Sequence, residues 1–299
     1  MTRAGTPGPI VVGVEKSDRS RDALALARTL ARALSTRLIL VAVHPGDVRS
    51  RAMAQEAEAV LEWVARPLSG VAVESRTVAC NSVPHGLQRV ADAEGALAIV
   101  VGPSHRGPLG RIVPGSVGER LLHGSPCPVA VAPRGYWGEA YAGIKTVGVG
   151  YTAVPEAAEA LDAAVGLAAR AGAAIRVLSV VEPPIVSATL PLGWGIGELE
   201  ATEREHLTDM MAGAIDAVNS AVEISGDVVD GYADDELAQL SREVDLVVCG
   251  SRGQGLVGSV MLGNVSTGVL RKACCPVLVV PRGVRDGFAA LRAPATEAA

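Results

Sequence analysis

Leu246-Val247-Val248-Cys249 empties into Gly250-Ser251-Arg252-Gly253, and the chain then passes Gly255 and Gly258 before it reaches Gly263-Asn264-Val265-Ser266. A helix-like segment follows, and after it a second apolar run, Val277-Leu278-Val279-Val280. Strand, glycine loop, helix start and strand form a layout suited to an anion. Backbone N–H groups approach a phosphate closely only where no Cβ intervenes, and the free donors of a helix N-terminus point the same way. The stretch therefore predicts a nucleotide site at the end of a buried strand.

The same grammar occurs earlier. Ala98-Ile99-Val100-Val101 leads into Gly102, Gly107 and Gly110, then Gly115-Ser116-Val117-Gly118. Cys-Pro-Val follows each copy, at 127–129 and 275–277, and each ends in Pro-Arg-Gly, at 133–135 and 281–283. The offset is constant at 148 residues, too long for a solenoid period and right for a duplicated domain. The expected organisation is a first domain over 1–135, a linker over 136–143, a second domain over 144–283 and a frayed tail over 284–299.

Composition narrows the class. Apolar residues make up 49% and aromatics only 3%, so the cores are built from Val, Leu, Ile and Ala, which suits parallel strands covered by Ala-rich helices. A formal net charge of −5 argues against a nucleic-acid surface, which needs clustered basic charge. No apolar run approaches the roughly 18 residues of a membrane span, and 1–9 lacks a signal-peptide core, so a cytoplasmic protein is expected. Cys80, Cys127, Cys249, Cys274 and Cys275 show no CxxC pair and read as reduced structural thiols.

Along the first half, periodicity predicts strands at 10–14, 38–43, 71–78 and 98–101 alternating with helices over 20–34, 49–65 and 83–94. The second half repeats the order: strand 146–149, helix 156–171, strand 175–181, helix 198–222, a short strand near Val228-Val229, a helix from Asp234 and strand 245–249. Residues 187–197, rich in Gly and Pro and containing Trp194, read as a surface insertion, with a lid over a site as the alternative. Alternation throughout demands right-handed crossovers and an α/β fold with parallel sheets.

Gly250-x2-Gly253-x9-Gly263 with Val265-Ser266 and Cys275-Pro276-Val277 resembles the universal stress protein family, and the duplication is similar to its tandem two-domain members in actinobacteria. The resemblance spans about 10–283. It implies two doubly wound, five-stranded parallel sheets in the order 3-2-1-4-5, the adenine nucleotide alpha hydrolase-like fold. It also implies ATP, or ADP or AMP, with a divalent ion such as Mg2+. Adenine and ribose would lie at the ends of the first two strands, with the phosphates in the glycine loop. Open-sheet physics expects a ligand at the same place, where the strand order reverses.

Carried over residue by residue, the resemblance places Gly250, Gly253, Gly263, Asn264, Val265 and Ser266 at phosphate-loop positions of the second copy, and Val180 at the adenine. Asn264 stands where Ser or Thr is usual, and Thr152 stands where ATP-binding members carry an Asp for ribose or base. In the first copy Glu15 keeps a carboxylate at that place, Ser17 keeps the following serine and Val43 takes the adenine position. Gly102, Gly115, Ser116 and Val117 match the loop, but His105 replaces its second glycine and Gly118 its last hydroxyl. A positive φ at His105 would cost about 1 kcal/mol, unless Gly107 relocates the turn. His105 and Arg106 offer positive side chains to phosphate instead. On glycine pattern alone the second copy is expected to hold phosphate better, and the first to hold the better carboxylate.

Other chemistries fit less well. The order G-x-x-G-x-G at 250–255 is not a dinucleotide fingerprint, and Asn264-Val265 follows the last glycine where a P-loop needs Lys then Ser or Thr. His44, His85, His123 and His206 lack paired metal spacing, and no nucleophile-base pair is legible. The reading is a nucleotide-binding protein of the stress response that is not an enzyme. A nucleotide-free scaffold acting through protein association is the alternative, and a slow ATPase ranks third. Runs 129–132 and 277–280 are bare apolar fifth strands, which predicts that the two domains pair through these edges. A homodimer of chains is a further expectation.

Overall fold

The computed structural model describes residues 7–46, 50–66, 68–103, 116–122, 124–138, 143–152, 154–183, 196–218, 220–251 and 263–283. In the first half β1 (Ile10–Gly13), α1 (Asp18–Ala33), β2 (Leu38–His44), α2 (Ser50–Ala65), β3 (Val73–Ala79), α3 (Val83–Glu94), β4 (Ala98–Val101), α4 (Ser116–Leu122) and β5 (Val129–Val131) follow in order. The second half repeats them as β6 (Thr146–Gly150), α5 (Pro155–Ala171), β7 (Ala174–Val181), α6 (Ile196–Asp216), β8 (Ile224–Asp230), α7 (Ala233–Leu240), β9 (Leu246–Gly250), α8 (Asn264–Lys272) and β10 (Val277–Val280). The insertion expected at 187–197 lies outside the described residues, apart from the first turn of α6.

Local chemistry sets these elements. On α1, Ala23, Leu26, Ala27, Leu30 and Ala31 recur at the three-to-four spacing of one helix face and are buried. Helices α3 and α5 both open with proline in the first turn and close on a left-handed glycine, Gly95 at φ 57° and Gly172 at φ 64°. Two elements differ from the sequence expectation. Helix α6 ends at Asp216 instead of reaching 222, and beyond it the Ser220 hydroxyl accepts the Val222 N–H (3.3 Å) in place of a helical carbonyl. Strand β8 covers seven residues rather than two, since pairing with β7 overrides the polar Ser225-Gly226-Asp227 interruption. A Cβ at Gly226 would stand 2.8 Å from Met211 Sδ, so the glycine admits α6 to this strand.

The sheet runs β3-β2-β1-β4-β5-β10-β9-β6-β7-β8. Each half reads 3-2-1-4-5 and is parallel within itself. One apolar layer lies between the sheet and α1, α2, α5 and α6, the other between the sheet and α3, α4, α7 and α8. The central strands bury both faces, as their unbroken Val/Ile/Leu runs require. The outer strands β3 and β8 are half-buried and carry charge, with Arg76 bridging Glu74 (2.6 Å) and Glu94 (2.7 Å) at the β3 rim.

The halves meet where β5 and β10 pair antiparallel, with Val277 opposite Val131, Leu278 opposite Ala130 and Val279 opposite Val129. The outer two pairs contribute to the layer on the α3 side, and Leu278 and Ala130 to the layer on the α1 side. The local twofold axis runs through the Ala130–Leu278 pair, small against large.

Residues expected to form a linker begin as a fixed 3-10 turn, Tyr136–Gly138, with Tyr136 buried. Asp22 of α1 accepts the N–H groups of Gly135 and Trp137, each at 3.1 Å. Arg21 lies 5.2 Å from the ring centroids of both Trp63 and Trp137, a cation held between two indoles. The second half repeats the latch: Glu159 of α5 accepts the Gly283 N–H at 3.1 Å.

Two predictions follow from this packing. Replacing Leu278 and Val280 together by Lys buries unpaired charge between the halves, which costs roughly 3 kcal/mol or more. The melting temperature should drop and protease cutting between the halves should rise; unchanged melting and cutting would place the interface elsewhere. Burial raises the Asp22 pKa against the lowering effect of its backbone donors. The folded state therefore binds its proton more tightly than the unfolded chain, and this residue's contribution to stability falls as pH rises through the window just above the usual Asp value. Asp22→Asn forfeits one acceptor, about 1 kcal/mol. Its deficit should be largest near pH 4 and shrink towards neutrality, as read from paired melts.

Candidate functional site

The order of strands reverses between β1 and β4, and again between β6 and β9, because β1 and β6 come first in each half of the chain and have later strands on both sides. Helix α1 leaves β1 towards one layer and α4 follows β4 into the other, so a crevice opens beyond the carboxyl ends of the two strands. Because β5 and β10 are antiparallel, the two crevices lie on opposite edges of the sheet.

In the first crevice the backbone of Glu15 is locked by Ser20, which accepts from Glu15 N (2.8 Å) and donates to Glu15 O (2.7 Å). The Glu15 carboxylate is exposed and takes hydrogen bonds from Ser17 Oγ (2.8 Å) and Arg19 Nη2, both on Oε1. Val43, half-buried at the end of β2, packs on the α3-side layer. Gly102 follows β4, and a Cβ there would meet the Arg19 carbonyl oxygen at 2.4 Å. Ser116 is the first residue of α4, and Val117 is half-buried on the same layer as Val43. His105 and Gly115 lie outside the described residues.

In the second crevice Gly250 ends β9, and its missing Cβ would stand 2.7 Å from the Glu156 carbonyl oxygen. Ser251 donates its N–H to Val280 O (2.8 Å) and accepts from Gly263 N (2.8 Å), which returns the chain to the strand end before α8 starts. Gly263 caps α8 at φ −62°, a conformation open to any residue, so backbone strain does not require a glycine there. Ser266 is buried and its hydroxyl donates to Gly250 O at 2.6 Å. That hydrogen ties α8 to β9, and an incoming group would find a lone pair there. Asn264 is exposed and Val265 half-buried in the first turn of α8. Val180 is half-buried on the α3-side layer, and the Thr152 carbonyl accepts from Val154 N at 2.7 Å. Gly253 lies outside the described residues.

Sequence reasoning passed over Ser20, Arg19, Glu156 and Ser251. Only the Glu15–Arg19 pair had a legible signal, its i,i+4 spacing. Cys249 and Cys127 offer no reactive thiolate: burial pushes Cys249 up to about 12 against the lowering effect of the neighbouring Ser266 hydroxyl, and Cys127 likewise up to about 12. No group of three or more metal-ligating side chains occurs among the described residues.

The profile described as the Universal stress protein family matches residues 7–133 and 143–281. The chain belongs to the universal stress protein family. A family member from Mycobacterium tuberculosis H37Rv is 30% identical over 241 residues, spanning 77% of this chain and 78% of that protein. Another from the same organism is 35% identical over 130 residues, 38% of this chain and 40% of that relative. The chain therefore matches less than half the length of that second relative. A crystal structure of a universal stress protein from Archaeoglobus fulgidus DSM 4304 shares the fold, with a TM-score of 0.66 at 21% identity over 92% of this chain and 98% of that one.

Within this universal stress protein-family chain, Gly102 and Gly250 have a packing role, admitting α1 and α5 to the strand ends. Gly102→Ala and Gly250→Ala should each destabilise the fold by about 1 to 3 kcal/mol, since a backbone carbonyl cannot step aside as a side chain can. Thermal melts without any nucleotide read this, and a melting temperature within a degree of the parent would show that the helices can retreat.

Proposed function

We propose that this protein binds an adenine nucleotide, ATP or its ADP or AMP counterpart, as a regulatory ligand in a cytoplasmic stress response. The observation that carries the reading is the crevice at the strand reversal. It is bordered by a half-buried valine at the end of β2 or β7 suited to a flat base, and by the start of α4 or α8 beside a glycine-ended strand suited to phosphate. In the first copy Glu15 adds a carboxylate for sugar hydroxyls. Mg2+ would arrive with the phosphates. No helix among the described residues is long and apolar enough to cross a membrane.

A second reading, a nucleotide-free scaffold working through protein association as a homodimer, draws support from one observation: packing against α1 and α5 already accounts for Gly102 and Gly250 without any ligand. Slow ATP hydrolysis ranks third. With Asn264-Val265 after Gly263 in place of a phosphate-binding lysine, turnover should fall below the roughly 1 to 100 per second of kinases.

Mass spectrometry of ligand released from protein purified without added nucleotide separates the first two readings. An adenine nucleotide in near-stoichiometric amount is expected, and calorimetric titration should show binding. Gly263→Val acts at the second crevice alone and should leave binding at the first in place. Protein that releases no nucleotide and takes up neither ATP nor adenosine would leave the scaffold reading in its place.

A further inference from the structure

The two crevices differ in which charge is taken out of water. Six residues beyond the glycine that ends the first strand stands Arg19 in one copy and Glu156 in the other. These are structural counterparts: the Cβ atoms of both lie 3.1 Å from the position a side chain would occupy at Gly102, just after β4, and at Gly250, the last residue of β9. Each side chain thus starts at the floor of its crevice.

Arg19 pairs with Glu15, and there the cation is the more buried partner, its side chain 23% exposed against 56% for the carboxylate. Its Nε is buried and has no hydrogen-bond acceptor among the described residues. A guanidinium carries five donors in a fixed fork, and a buried Nε–H left without an acceptor is costly unless something supplies one. In the second copy the order is inverted. Glu156 pairs with Arg282 at 3.3 Å, and here the carboxylate is buried at 11% while the cation is 65% exposed. Water and salt screen the exposed member of each pair far more than the buried one. The more buried member of the pair is therefore the cation under the first crevice and the carboxylate under the second.

We propose that the two sites are functionally inequivalent: the phosphates of a nucleotide are held at the first crevice with Arg19 as their counter-charge, and Glu156 closes the second crevice to polyphosphate. The proposal rests on the nucleotide-binding reading and reverses the preference drawn from the glycine pattern alone. Arg19 acts on phosphate and Glu15 on the nucleoside, so charge and base recognition are separable.

Calorimetry of the full chain with ATP and, separately, with adenosine tests this. Wild type should bind one ATP. Arg19→Gln should weaken ATP at least tenfold and leave adenosine within about twofold, while Arg19→Lys, which keeps the charge, should stay within a few-fold of wild type for both. Glu156→Gln should raise ATP stoichiometry from one towards two. Two ATP per wild-type chain, unchanged ATP affinity in Arg19→Gln, or equal loss of ATP and adenosine in that variant would each overturn the proposal and leave nucleotide binding standing. A wild-type chain that takes up neither probe removes the nucleotide reading itself, a result distinct from these three.

Discussion

The antiparallel join of β5 to β10 is the contact on which the rest depends. Three cross-strand pairs convert two five-stranded sheets, each with a bare apolar edge, into one sheet that ends, among the described residues, on the charged, half-buried β3 and β8. Through that join the layer beneath α1 and the layer beneath α5 become continuous, so Ala130, Ala132, Leu278 and Val280 belong to one core. The latches made by Asp22 and Glu159 hold the chain just after each of these strands, where the exit from the join would otherwise fray.

Glycine at the strand ends serves the same economy of space. At Gly102 and Gly250 a helix N-terminus approaches until its carbonyl fills the place of a side chain. That approach narrows the crevice and draws residue 19 or 156 to its floor. Packing and recognition are thus set by one residue type at one position, which is why either reading of those glycines taken alone is incomplete.

The fold was legible because every level agreed. Periodicity, proline and glycine punctuation and the 148-residue repeat all pointed to two parallel sheets, and strand order, strand positions and the Usp match follow suit. Boundaries failed at β8, where tertiary pairing overruled local preference, and at the end of α6, where a local serine bond replaced the helical one. The site was legible only as a list of positions. Spacing placed Glu15, Val43, Val180 and Gly263 near strand ends, but hydrogen bonding decides what each can offer. Ser266 looked like a ligand contact and has its proton on Gly250 O, and no pattern marks what separates Arg19 from Glu156, because the difference lies in relative burial.

Ala130 and Leu278 occupy the same place in the two copies and face one another on the axis. Had either half joined a second copy of itself, alanine would have met alanine across a void, or leucine would have met leucine with too little room. The mismatch makes each half a poor partner for itself and a good one for its sibling. Fusing the copies into one chain guarantees that they meet at equal numbers. Once the pairing is unlike with unlike, each half can drift in its own direction without dissolving the whole.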